Sequence, residues 1–192
     1  MRDEAIASAF RPARIEQDRY DLGVALLGTI ERALGENRLS ESMRRTLLCT
    51  LVRDNLFFQG NWEAKETFRQ RTGCYPSDFM LISPGKACNL RCVGCYADSG
   101  ANREKLDWPV LDRLITEAHD RLGNRFFVIS GGEPMAYHSE GKGLLDLAER
   151  HPDCLFLMYT NGTLIDDNVA KRMGELGNLT PAISVEGMRG SV

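Results

Sequence analysis

The sequence predicts an α/β protein whose second half forms a parallel sheet, with a helical region ahead of it. Three observations predict this class. Short apolar runs over 79–83, 126–130, 155–160 and 182–186 read as buried strands. Segments of helical period lie between them. The last two intervals between strand starts match the roughly 30 residues of a strand–helix–strand unit, and strands joined through such crossovers run parallel.

The helical region comes first. Leu22, Leu26, Ile30 and Leu34 recur every four residues and Gly35 follows, giving an apolar stripe closed by a residue at ease in the left-handed conformation. Ser40 then offers an N-cap oxygen, Glu41 suits the positive end of a helix, and Met43, Leu47, Leu51 and Leu56 make a second stripe. Residues 14–58 are therefore expected to form a helical hairpin. Cys49, among leucines, is expected to pack as a small hydrophobe. The expected division is a helical region over 1–75 and an α/β region over 76–192. The helical part is expected to pack on the sheet or to recognise substrate.

Within the α/β region, Val110, Leu114, Ile115 and Ala118 predict a first helix, with Asp107 as its cap and Pro109 tolerated in its opening turn. Leu144 to Ala148 predict a shorter helix. Ile165, Val169, Met173 and Leu176 predict a third. The first strand-to-strand interval is longer than the others, so a long loop must follow strand one. In parallel sheets, loops after the C-terminal strand ends gather the functional groups. The chain stops at Val192, six residues after the fourth predicted strand and without a helix to cover it. A bare edge of this kind is expected of a fragment.

Composition narrows the function. Of 192 residues, 43% are hydrophobic and 27% charged, with a net charge of −3; these globular proportions exclude disordered and collagen-like chains. The longest apolar run, Cys154 to Tyr159, is six residues, far short of the roughly twenty that a membrane helix needs. The first residues carry Asp3 and Glu4 where an export signal would be basic and then apolar, so a cytoplasmic location is expected. A pI near 5.7 lacks the basic excess that nucleic-acid binding requires.

Six cysteines in a chain read as cytosolic are core, metal or redox residues rather than a disulfide frame. Cys154 begins a strand and is expected to pack. Cys74, before Tyr75-Pro76, is a candidate auxiliary ligand. His119, His138 and His151 show no metal spacing and are expected to be structural or surface groups. Cys88, Cys92 and Cys95 stand apart from these, spaced Cys-x3-Cys-x2-Cys in the long loop after strand one. Three thiolates on one compact loop can hold three corners of an iron–sulfur cluster and leave one iron open. The spacing alone also admits a zinc site completed by a fourth ligand, a redox pair at Cys92 and Cys95, or plain packing.

Further groups fall at the other strand ends. Gly131 and Gly132, after strand two, permit close backbone approach by a ligand or serve a tight turn. Asn161, in Thr160-Asn161-Gly162, follows strand three, where capping or turn duty competes with a ligand role. Ser184 and Glu186 share one face of strand four by alternation, so a hydroxyl and a carboxylate can point together into the sheet mouth.

The cysteine spacing after one strand, followed by Ser130-Gly131-Gly132-Glu133-Pro134 after the next, resembles the radical S-adenosylmethionine (radical SAM) superfamily. The resemblance spans residues 79–192. It implies a partial (β/α) barrel with about four of the family's six units, and a [4Fe–4S] cluster on Cys88, Cys92 and Cys95. It also implies that the open iron chelates S-adenosylmethionine (SAM), which is cleaved reductively to a 5′-deoxyadenosyl radical. By the same resemblance, Gly131, Gly132, Glu133 and Pro134 receive the SAM ammonium, Asn161 faces the SAM or substrate cavity, and Ser184 and Glu186 contact the ribose. Reduced flavodoxin or ferredoxin is the implied electron donor, and a peptide or cofactor precursor the implied substrate. Two features depart from the family pattern. Gly94 stands where an aromatic residue usually precedes the third cysteine, with Tyr96 only following it, and the segment after a fifth strand is absent. The alternative is a zinc-stabilised structural or protein-binding module.

Overall fold

The computed structural model describes residues 13–36, 39–46, 48–49, 62–77, 79–99 and 103–185. The chain divides into two compact units, 1–39 and 40–192.

The first unit contains helix α1 (Ala13–Gly35). Ile30 of the predicted stripe is buried, while Val24 and Leu27 are about half exposed. Gly35 is the last helical residue rather than the one after it. The rest of the predicted hairpin begins with α2 (Glu41–Thr46) in the second unit. Ser40 caps it as expected, accepting the Met43 N–H at 3.2 Å. Leu47, Leu51 and Leu56, the remainder of the second stripe, lie outside the described residues. Helix α3 (Trp62–Thr72) follows.

Four strands then form one sheet in the order β1 (Phe79–Ile82), β2 (Phe126–Ile129), β3 (Leu155–Thr160) and β4 (Leu179–Ile183), all parallel. The connecting helices are α4 (Trp108–Leu122), α5 (Leu144–Arg150) and α6 (Asp167–Leu176). Side chains alternate across each strand. Ile82, Phe127, Ile129, Phe156 and Met158 pack with Leu111, Ile115, Leu147 and Met173 from the helices into one core. The Phe127 and Phe156 rings stack across adjacent strands, 5.6 Å between centroids. The opposite face is apolar yet open: Phe79, Leu81 and Tyr159 are each about half exposed.

Three expectations are corrected in detail. Strand four begins three residues earlier than predicted and contains Pro181. Asn178 C=O accepts from Phe156 N–H, and Ser184 N–H donates to Thr160 C=O, so even-numbered residues bond to β3. Pro181 therefore faces away from the ladder on an edge strand, where a missing N–H costs nothing. Asp107 occupies the N-cap position of α4, but its side chain makes no cap bond. The Ser139 hydroxyl does so instead, accepting from Trp108 N–H at 3.0 Å. The apolar stripe of α4 runs through Trp108, Leu111, Ile115 and Ala118, with Val110 more than a third exposed.

Helix α6 ends at Gly177, whose φ of +71° is the left-handed cap that glycine tolerates best. A side chain there would strike the Ser42 backbone at 2.5 Å. Ser40 and Ser42 hydroxyls both donate to Gly174 C=O, fastening α2 to α6. Among the described residues, no helix is long and apolar enough to cross a membrane.

Candidate functional site

The residues that follow β1, β2 and β3 meet at one edge of the sheet. After β1 the chain runs through Gly85, Lys86 and Ala87 into the cysteine loop, and Gly85 bridges to Lys105 where the loop returns. The segment after β2 docks directly on this entry. Gly132 N–H donates to Gly85 C=O at 3.0 Å and Glu133 N–H donates to Ala87 C=O at 2.8 Å. This contact explains both glycines. A Cβ on Gly132 would collide with the carbonyl oxygens of Lys86 and Ala87, and one on Gly131 would lie 2.6 Å from that of Gly85, at a φ of +113°. Only glycine allows two backbones to come this close.

Glu133 is 2% exposed and accepts three hydrogen bonds. Its Oε1 accepts from Thr160 Oγ1 at 2.7 Å and from Met135 N–H at 3.0 Å, and Oε2 accepts from Asn161 N–H at 2.8 Å. The carboxylate thus ties the end of β2 to the end of β3 while capping the short 3-10 turn Pro134–Ala136. A buried charge is tolerable only with such donors. Pro134, at the start of that turn, is buried.

Asn161 links this clamp to the cysteines. Its Nδ2 donates to Asn89 Oδ1 at 2.9 Å and lies 3.9 Å from Cys88 Sγ. Its Oδ1 accepts from the Thr163 N–H at 2.9 Å and hydroxyl at 2.6 Å. Asn89 Nδ2 donates to Thr163 Oγ1 at 2.7 Å. At the far end of the loop, Tyr96 and Ser130 are joined hydroxyl to hydroxyl. The loop is pinned to β3 at Asn89 and to β2 at Tyr96, with Cys92 and Cys95 between the pins.

Cys88 is partly buried and its sulfur accepts from Leu90 N–H at 3.4 Å, whereas Cys92 and Cys95 are exposed. The backbone N–H groups of Ser99 and Ala97 hold the Cys95 thiol below the ordinary thiol range. Gly94 takes a φ of +78° in the turn that brings Cys95 N–H to Cys92 C=O at 3.4 Å. A bulky side chain would be strained at that φ. Tyr96, which follows, is 82% exposed.

Among the described residues, no three His, Cys, Asp or Glu side chains are drawn together closely enough to hold a metal ion. Thiols gather when an ion pulls them, since binding supplies the energy of ordering. The donor set itself fits a soft cluster: three sulfurs within one pinned loop, with N–H groups directed at two of them. A cleft of about 300 Å³ opens beside the loop entry, walled by Gly85, Ala87, Glu133 and Tyr137 together with Arg103 and Lys105.

Ser184 is exposed just beyond β4, and Glu186 lies outside the described residues. Cys74 is exposed after α3. Cys154 is buried as expected, and burial pushes its thiol up to about 12, so it is inert. His151 Nε2 and Arg150 Nε both reach Asp112 Oδ1, at 2.8 and 2.6 Å. Burial resists ionisation of Asp112, yet these two partners together hold its carboxyl below the usual range. Asn89, Thr160, Thr163 and Ser130 were not singled out from the sequence. The first lies between two candidate ligands and the next two flank Asn161, a pattern of short polar side chains at strand ends that marks them in retrospect.

The family model described as the Radical SAM superfamily matches residues 82–190. An Fe-coproporphyrin III synthase of Methanosarcina barkeri is 34% identical over 113 residues, covering 54% of this chain and 26% of the relative. A GTP 3′,8-cyclase of Paenarthrobacter nicotinovorans is 30% identical over 95 residues, 47% of this chain and 27% of the relative. A cysteine-type anaerobic sulfatase-maturating enzyme of Clostridium perfringens is 31% identical over 112 residues, 50% of this chain and 30% of the relative. The chain thus spans under a third of the length of these relatives. Among solved structures, Streptococcus suis SuiB bound to the precursor peptide SuiA superposes with a TM-score of 0.52 at 20% identity, over 66% of this chain and 28% of that one. That likeness concerns the fold, a partial α/β barrel.

Proposed function

Since the chain belongs to the radical SAM superfamily, we propose that residues 76–192 form the part of its catalytic core that holds a [4Fe–4S] cluster on Cys88, Cys92 and Cys95. The observation that carries this reading is the cysteine loop pinned across the ends of β2 and β3 by Asn89, Tyr96 and the close backbone docking of Gly131-Gly132. A [4Fe–4S] cluster held by these three cysteines would supply the electron for reductive cleavage of SAM.

The chain's own residues orient the partners of that reaction. Gly131 and Gly132 keep the β2 end low against the loop, leaving backbone carbonyls of this segment to receive the SAM ammonium. The Glu133 carboxylate already accepts from Thr160, Met135 and Asn161, so its contribution is to hold the carbonyls of its neighbours in place rather than to bind SAM directly. Pro134 stiffens the turn that follows. Asn161 lines the same mouth from β3, and Ser184 with Glu186 would meet the ribose hydroxyls from β4. The names of the sequence relatives support a cofactor precursor or a peptide as substrate class. Reduced flavodoxin or ferredoxin is the proposed electron donor, and the cytoplasm the proposed setting.

The test is anaerobic reconstitution of the whole chain with iron and sulfide, followed by metal analysis. About four irons per chain is the expected uptake, with broad visible absorption that bleaches with dithionite and is lost in Cys88→Ala, Cys92→Ala and Cys95→Ala. Stoichiometric zinc without iron would overturn the proposal in favour of a structural zinc module.

A further inference from the structure

We infer that Asn89 is a positioning residue that fixes Cys88 against the sheet, so that Cys88 is a preset ligand and Cys92 closes on the cluster afterwards. The inference rests on the cluster reading and deepens the part that Asn89 plays in it.

The geometry is a closed ring of three side chains. Asn161 Nδ2 donates to Asn89 Oδ1, Asn89 Nδ2 donates to Thr163 Oγ1, and Thr163 Oγ1 donates to Asn161 Oδ1, at 2.9, 2.7 and 2.6 Å. Each side chain gives one bond and takes one, so the donors all run in the same sense round the ring. Hydrogen bonds arranged head to tail polarise one another and strengthen the set. Asn161 is itself held by the Glu133 carboxylate through its backbone N–H at 2.8 Å, which roots the ring in the buried clamp.

Cys88 is next to Asn89 in the chain and receives the same Asn161 amide at 3.9 Å, besides Leu90 N–H at 3.4 Å. Its partial burial contrasts with the exposed Cys92 and Cys95. The ring accordingly does two things at this sulfur. It removes the freedom of the loop's first ligand before any metal arrives, which lowers the ordering cost of binding. It also aims an N–H at a sulfur ligand, and hydrogen bonds to ligand sulfurs are one of the determinants of a cluster's reduction potential. Nothing comparable reaches Cys92 among the described residues.

The experiment uses the whole chain, with Asn89→Ala, Thr163→Val and Thr163→Ser variants whose far-ultraviolet circular dichroism matches wild type. In the metal-free protein, anaerobic alkylation by iodoacetamide is followed at each cysteine by peptide mass spectrometry. Cys88 is expected to react more slowly than Cys92 in wild type. Asn89→Ala and Thr163→Val should each raise the Cys88 rate about fivefold, the worth of a hydrogen bond of about 1 kcal/mol, and leave Cys92 unchanged. Thr163→Ser, which keeps the hydroxyl, should restore the wild-type rate. After reconstitution, Asn89→Ala should shift the cluster's midpoint potential in the negative direction.

Equal Cys88 and Cys92 rates in wild type would overturn the inference. So would a common rise at all three cysteines in Asn89→Ala, failure of Thr163→Ser to restore the rate, or an unchanged potential. A wild-type chain that takes up no iron defeats the cluster reading by itself, and the alkylation rates then decide the role of Asn89 separately.

Discussion

Replacing Gly132 by alanine tests the docking of the β2 end on the cysteine loop. The added methyl would sit 2.5 Å from Lys86 C=O oxygen and 2.7 Å from Ala87 C, closer still to Ala87 C=O oxygen. All of these are backbone atoms, so no flexible side chain can swing aside. Relief requires the loop to retreat by roughly 1 Å to reach ordinary contact. That retreat stretches Gly132 N–H to Gly85 C=O and Glu133 N–H to Ala87 C=O, now 3.0 and 2.8 Å, to or beyond useful hydrogen-bond length. Overpacking costs about 1–3 kcal/mol and each lost bond about 1 kcal/mol. A net loss near 3 kcal/mol would lower Tm by about 6–12 °C for a unit of this size. Gly174→Ala is the control: it lies in α6, nothing is within 4 Å of its Cβ, and it should stabilise by about 0.5–1 kcal/mol. Thermal unfolding followed by circular dichroism, with iron uptake on the same samples, reads both effects. A Gly132→Ala chain that melts within about 2 °C of wild type and binds iron equally well would refute the close docking of these two segments.

Glu133→Gln should cost about 1–3 kcal/mol, because an amide NH2 must face the Asn161 or the Thr160 donor that the carboxylate now accepts, and Glu133→Ala should cost more; urea midpoints in that order check it. Native chain treated with iodoacetamide at pH 8 should show modification at Cys74, Cys92 and Cys95 while Cys154 stays unmodified until denaturant is added, in keeping with its buried thiol. Burial lowers the proton affinity of His151 in the folded state, so the unfolded chain binds more protons as pH falls through the ordinary histidine range; stability should therefore drop between pH 7 and 5, and His151→Gln should flatten that step in Tm against pH. The depressed Asp112 carboxyl acts in the same direction but lower, its contribution being lost only as pH falls below the ordinary carboxylate range.

Much of the sheet was legible because a strand buried on at least one face must be apolar and short, and the runs at Phe79, Phe126 and Leu155 have little else they could be. The fourth strand was misread by three residues because Pro181 normally argues against a strand, and only the direction of its neighbours' bonds to β3 shows why it is admitted. Helix α3 left no mark: its sequence from Glu63 to Thr72 is mostly polar and carries no stripe. The cysteine loop was legible from its spacing. Its supports were not, since Asn89 meets Thr163 across 74 positions and Tyr96 meets Ser130 across 34, and contacts of that range leave no local pattern. The glycines show the same limit. Two missing side chains announce a close approach, while the identity of what approaches, here the carbonyls of Gly85 to Ala87, belongs to the folded chain.

The central claim is that three thiolates on this loop leave one iron free to take SAM. Electron paramagnetic resonance of the dithionite-reduced, reconstituted chain, recorded with and without SAM, tests it most directly. The account predicts a reduced [4Fe–4S] signal whose shape changes when SAM is added and which disappears in the Cys92→Ala variant. A four-iron signal that SAM leaves unaltered, at concentrations that saturate binding, would contradict it.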